Sequence, residues 1–318
     1  MSRDSLRCSS PGRCQRGAAL LTAMIIVTLV ATLASSMVWQ QWRAVQVESA
    51  ERARTQSAWI LSGALDWARL ILKEDARNGG ADHLGEPWAV PLAEARLSTF
   101  LAADKNITED APDAFLSGAI TDAQARYNLT NLVAQGKVDE AELAALGRLC
   151  EATGVGVEVA GRIATGLLRA QAASDPTAPL MPRTVAQLAW LGVDAESLRL
   201  LAPYVVLLPK ATPVNLNTAS REVLVAAVKG LDLASAERLI QMRQRSYFKT
   251  PAEIGREVPA VLPLDGARLA TSSSFFEVRG RLRLGDRVLE QTSLVERQGL
   301  AVVVLRRDRV ASRDQPAS

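Results

Sequence analysis

Ala18 to Val38 run for 21 residues without a charge, and roughly 20 such residues suffice to cross a bilayer as a helix. Trp39 and Trp42 follow at once, as aromatic anchors at a membrane interface do. The helical pattern does not stop there. Ile60, Ala64, Trp67 and Ile71 recur at helical spacing, and Leu61, Leu65, Ala68 and Leu72 repeat on the adjacent row. Together they predict a broad apolar stripe, with Asp66, Arg69 and Lys73 on the solvated side. No proline interrupts residues 18–77, so the pattern predicts one helical rod of roughly 90 Å. A cleaved secretory signal is the competing explanation, but the apolar run is long and no small-x-small cleavage site precedes a polar start.

Residues 78–121 are mixed and loop-rich, broken by Gly79-Gly80, Gly85, Pro87 and Pro91, with one short helix expected over Val90–Leu101. Ile120 to Leu132 predicts an edge strand leading into an Asn-capped turn. Helix start signals then repeat: Asp139 before Glu142, Thr184 before Gln187, Asp194, Asn217 or Thr218 ahead of Val223–Lys229, and Thr250-Pro251-Ala252-Glu253. They predict a helical subdomain over roughly 130–270. Beyond it Phe276, Val278, Leu282 and Leu284 alternate with Glu277, Arg279, Arg281 and Arg283, the period of a half-buried strand. Gly285-Asp286 supplies a two-residue turn. Strands over Arg287–Val295 and Leu300–Arg307 complete a three-stranded meander around Glu296–Gly299, and 308–318 is expected to be a disordered tail.

Charge changes this picture in one respect. The chain's net charge of +3 sits in its first 17 residues, where Arg3, Arg7, Arg13 and Arg16 face Asp4 alone; residues 18–318 carry 33 basic and 33 acidic groups. The basic leader belongs on the cytoplasmic side. A polyanion-binding protein keeps its positive excess in the folded part, so nucleic acid is not an expected partner. Catalysis is equally unsupported. His83 is the only histidine, which leaves no zinc cluster and no histidine-dependent triad. Cys8 and Cys14 lie in the leader, and Cys150 fits a buried apolar position in a helix.

The leader and the Asn-rich segment carry a resemblance. Arg16-Gly17 followed by Ala18-Ala19-Leu20-Leu21-Thr22 resembles the processing site of type IV prepilin-like proteins. The resemblance implies cleavage after Gly17 by a prepilin peptidase and methylation of the new Ala18 amine. It also implies that Thr22 stands where most of the family has Glu, a departure typical of the K-type minor pseudopilin of the type II secretion system. A carboxylate in hydrocarbon is costly unless paired; a subunit with none ahead of it has no amine to pair with. A threonine instead bonds its hydroxyl to the preceding helical turn. The run Asp122-Ala-Gln124-Ala-Arg126-Tyr-Asn128-Leu-Thr-Asn131-Leu132 is similar to the K-type D-x-Q-x-R-x-N-L-x-N-L motif. Pro213-Val-Asn215-Leu-Asn217-Thr218-Ala219 with Ala236-x-x-Leu239-Ile240-x-x-Arg243 resembles a helix-hairpin-helix unit, and a weaker copy lies at Gly154 to Leu168.

By that resemblance the fold is α+β: a pilin-like long N-terminal helix on an antiparallel sheet, with a large inserted all-helical subdomain. The implied division is leader 1–17, transmembrane segment 18–38, periplasmic helix and first pilin-like part 39–128, helical insertion 129–270, β-meander 271–307 and tail 308–318. The implied role is non-enzymatic: initiating or capping a periplasmic pseudopilus from a single-pass position in a bacterial inner membrane. Implied partners are I-, J- and H-type minor pseudopilins, the major pseudopilin and prepilin peptidase. No cofactor is implied beyond the calcium that some members bind, and of those acidic ligands only Asp175 has a counterpart here. The rival is a membrane-anchored DNA receptor of competence type. Against it, residues 213–258 hold seven Lys/Arg and five Asp/Glu, and Asp232 occupies the hairpin.

Overall fold

The computed structural model describes residues 15–97, 114–172, 177–258, 268–285 and 287–313, with side chains from 18 to 310 within those ranges. The leader before residue 15, Asp175, residues 98–101 of the expected 90–101 helix and the end of the expected tail lie outside them. The chain divides into two compact units, Met1–Trp59 and Ile60–Ser318. Helix α1, Gln15–Asn78, contributes to both. In the first unit every apolar side chain from Leu20 to Val38 is exposed, the condition of a helix whose natural solvent is lipid.

In the second unit α1 packs on a five-stranded sheet. The strands are β1 (Leu92–Arg96), β2 (Ala114–Asp122), β3 (Phe275–Leu284), β4 (Arg287–Gln298) and β5 (Ala301–Arg313). They lie in sequence order and every pairing is antiparallel. Leu61, Leu65, Ala68 and Leu72 are buried against this sheet. The adjacent row is shallower than its periodicity predicts: Ile60, Ala64 and Ile71 are only part-covered and Trp67 is half exposed. Arg69, expected in solvent, pairs with Asp66 and also donates from Nε to the Val302 carbonyl at 2.9 Å, tying the helix to the edge strand.

Three expectations need correction. Residues 92–96 form a strand, not part of a helix, because pairing with β2 overrides local propensity. β2 is not an edge strand: it lies between β1 and β3. Residues 308–313 are not tail, since β5 pairs with β4 up to the Arg287–Arg313 position. The turn before it is also tighter than predicted, with Gln298 opposite Ala301 and Gly299 at φ +59°, a conformation glycine adopts without strain.

Between β2 and β3 the chain leaves the sheet and returns beside its exit, for Asp122 pairs with Phe276. The excursion holds α2 (Glu140–Thr153), α3 (Glu158–Gln171), α4 (Ala195–Leu201), α5 (Arg221–Ala227), α6 (Leu233–Arg245) and α7 (Ala252–Glu257). They enclose their own core, with Leu146, Leu149, Ile163, Leu201, Leu224 and Leu239 among its buried members. Asp139 and Asp194 cap their helices as expected. The Thr184–Gln187 capping box opens a 3-10 turn rather than an α-helix. Ser220, not Asn217 or Thr218, caps α5, since both of those side chains are engaged elsewhere.

Candidate functional site

The two Asn-rich motifs, some ninety residues apart, meet where the helical insertion joins the sheet. Asp122 is the hub. Its Oδ2 accepts from Asn215 Nδ2 (2.9 Å), Thr218 Oγ1 (2.6 Å) and Ser273 Oγ (2.7 Å), and its Oδ1 from the Gln124 amide (2.8 Å). Gln124 spans the joint, donating to the Pro213 carbonyl and accepting from the Ser274 amide. Asn128 donates to the Lys210 carbonyl and Thr212 Oγ1 and accepts from the amides of Thr130 and Leu208. Asn131 and the Thr212 backbone exchange two bonds, at 2.9 and 3.0 Å. Asn217 does the same with the Phe248 backbone. Asn215 also donates to the Asp82 carbonyl and accepts from the Asn217 amide. Arg126 pairs with Glu277 on β3 at 2.9 Å.

These side chains replace a ladder that loops lack. A buried backbone amide or carbonyl left unpaired costs about 1–3 kcal/mol. Asn and Gln carry both donors and acceptors and satisfy two strands of chain at once. That is why amides dominate the motif.

A second group adjoins the hub. Arg297 of β4 holds Asp82 through both carboxylate oxygens (2.7 and 2.6 Å), Asp75 of α1 at 2.5 Å and the Ser273 carbonyl at 2.7 Å. Glu86 accepts from Trp88 Nε1 and the His83 amide, and Trp88 meets Phe276 edge-on. Burial raises the carboxyls of Asp75, Asp82 and Asp122 above the usual aspartate range; Arg297 opposes this for Asp75 and Asp82, and four donors oppose it for Asp122. Oxygens of Asp75, Asp82 and Glu86 come within 4.8 Å of one another. Protein donors already occupy them, however, and a cation would have to displace Arg297. The group braces helix, loop and sheet. Nothing in the sequence pattern singled out Asp75, Asp82, Ser273 or Arg297, for each stands alone in its own segment.

At the N-terminal end Gly17 and Ala18 lie in the first turns of α1, with Ala18 exposed. Thr22 donates its hydroxyl to the Ala18 carbonyl at 2.5 Å. Among the expected structural residues Cys150 is fully buried, and burial lifts its thiol to about 11, which leaves it inert as a nucleophile. In the hairpin Asp232 caps α6, accepting from the Ser235 amide at 2.8 Å. It occupies the helix N-terminus that would otherwise face a phosphate.

The comparisons with known proteins agree with this architecture. Two models described as "Type II secretion system (T2SS), protein K" match residues 125–210 and 214–273. The type II secretion system protein K of Pseudomonas aeruginosa is 28% identical, covering 90% of each chain. That of Pectobacterium carotovorum subsp. carotovorum is 26% identical over 92% of this chain and 96% of its own. A solved structure, the GspK-GspI-GspJ complex from the enterotoxigenic Escherichia coli type 2 secretion system, superposes with a TM-score of 0.62 at 19% identity, covering 83% of this chain and 99% of that one. With the long helix, the antiparallel sheet and the interlocked helical insertion, these matches place the chain in the type II secretion system protein K family.

Proposed function

We propose that the chain is a minor pseudopilin at the tip of the type II secretion pseudopilus, where it initiates or caps the assembly. On this reading it is processed after Gly17, N-methylated at Ala18 and held in the inner membrane by Ala18–Val38, with the remainder in the periplasm. The observation that carries it is the helical insertion, held as a braced head in the β2–β3 connection by the Asp122, Asn128 and Asn215 network. Such a head adds bulk that simple helical stacking of pilin-like subunits cannot continue past. Thr22 supports the same place in the assembly: its hydroxyl is satisfied within its own helix and it asks nothing of a subunit ahead.

The solved relative is in complex with GspI and GspJ, and I- and J-type minor pseudopilins are the partners proposed here. The test is twofold. Mass spectrometry of the chain from a peptidase-proficient host is expected to give a mature form beginning at N-methyl-Ala18. Deleting the chain is expected to stop export of type II substrates, with restoration by the wild-type copy. An unprocessed Met1 form in that host, or undiminished export in the deletion strain, would refute the proposal.

A further inference from the structure

The 83–85 loop and the C-terminal end of α6, both in the second unit, form an open cavity of about 490 Å³ lined by His83, Arg243, Arg245, Tyr247 and Gln244, with no carboxylate in its described lining. His83 and Tyr247 stack as one wall, with centroids 4.0 Å apart and planes 13° from parallel. His83 Nδ1 accepts from the Gly85 amide, so Nε2 carries the ring's proton as a donor.

Arg243 is the unusual member. Its Nη1 donates to the Leu216 carbonyl at 2.5 Å, and among the described residues no carboxylate pairs with it. Burial lowers its guanidinium to about 10, and the charge of Glu237 only partly offsets this. Arg297 pairs with Asp75 and Asp82, Arg268 with Glu142 and Arg126 with Glu277, whereas Arg148, like Arg243, donates to backbone carbonyls. A half-buried guanidinium facing a cationic cavity is complemented by an anion supplied from outside.

We propose that this cavity binds a small oxyanion, a phosphate or carboxylate group. The guanidinium fork donates to two oxygens side by side, which a chloride cannot offer, and the volume exceeds that of a lone halide. Arg245, exposed in the lining, adds charge.

Thermal unfolding of the full chain in detergent tests this, with sodium phosphate and sodium citrate compared with sodium chloride at equal ionic strength. Phosphate or citrate is expected to raise the melting temperature along a saturating curve. The Arg245→Gln variant, with its unliganded melting temperature unchanged, is expected to bind about tenfold more weakly. Phosphorus-31 line broadening reads phosphate capture without reference to stability and should fall in the same variant. Stabilisation that grows without saturating and is identical in Arg245→Gln is general salt exclusion and overturns the proposal. So does equal broadening in both proteins. Duplex DNA that shifts in a gel and displaces phosphate would overturn it in favour of a polynucleotide ligand.

Discussion

Asp122 shows how much one side chain holds at the joint. Its four donors come from two motifs and a loop, and each loses its acceptor if the carboxylate goes. Asp122→Ala is therefore expected to cost about 3 kcal/mol in chemical denaturation of the full chain, from several buried polar groups left unpaired. A loss under 1 kcal/mol would mean that water fills the gap. The same region sets a pH dependence. Asp75, Asp82 and Asp122 have folded values raised by burial, so the folded chain keeps their protons to higher pH than the unfolded chain does. Their contribution is greatest below the ordinary aspartate value and is lost as pH rises through the folded values. The melting temperature is expected to fall between mildly acidic and neutral pH, and Asp75→Asn to flatten that fall. At this scale Gln124, Asn128, Asn131, Asn215 and Asn217 were legible because they stand in segments that resemble family motifs. Asp82, Ser273 and Arg297 were not, since only the fold brings isolated residues together.

Elements were legible where one face repeats and illegible where pairing decides. The buried row of α1 and the alternation of β3 follow from period alone. β1 and β2 lie in stretches too short or too small-residued to show one. β2 carries Gly118 opposite Gly280 of β3, and this pair explains the weak signal: the positions are selected for close approach and not for packing volume. A Cβ on Gly118 would sit 2.8 Å from the Arg279 carbonyl oxygen. Gly118→Ala is thus expected to destabilise by about 1–3 kcal/mol through forced backbone movement. Leu72→Ala, emptying a fully buried site between α1 and the sheet, is expected to cost about 2–5 kcal/mol. Denaturant midpoints of the two variants against wild type check both. Equal stability of Gly118→Ala and wild type would show that β2 and β3 part there at little cost.

At the scale of the whole molecule the decisive fact is where the insertion enters. It interrupts a hairpin between two strands that are neighbours in both sequence order and space, and Asp122 stands opposite Phe276 at its base. The sheet's core with α1, built from Leu65, Leu72, Trp88, Phe276 and Val295, is separate from the insertion's own core. The two cores meet through a small cluster of Ala123, Val206, Leu208, Phe275 and Leu294, a base small enough to make the insertion removable. Replacing residues 123–275 by an Asn-Gly turn keeps Asp122 opposite Phe276, the native register of β2 and β3, with a connection that such strands favour. The shortened chain loses Ser273 and Asn215 but retains Arg297 with Asp75 and Asp82. It is expected to remain membrane-anchored and processed and to keep the β-sheet signal in circular dichroism with cooperative unfolding, while failing to restore export in the deletion strain. Those results together would locate the secretion role in the head and the folding of the anchor domain outside it. If the shortened chain restored export, the head would be dispensable and the tip function would have to reside in α1 and the sheet.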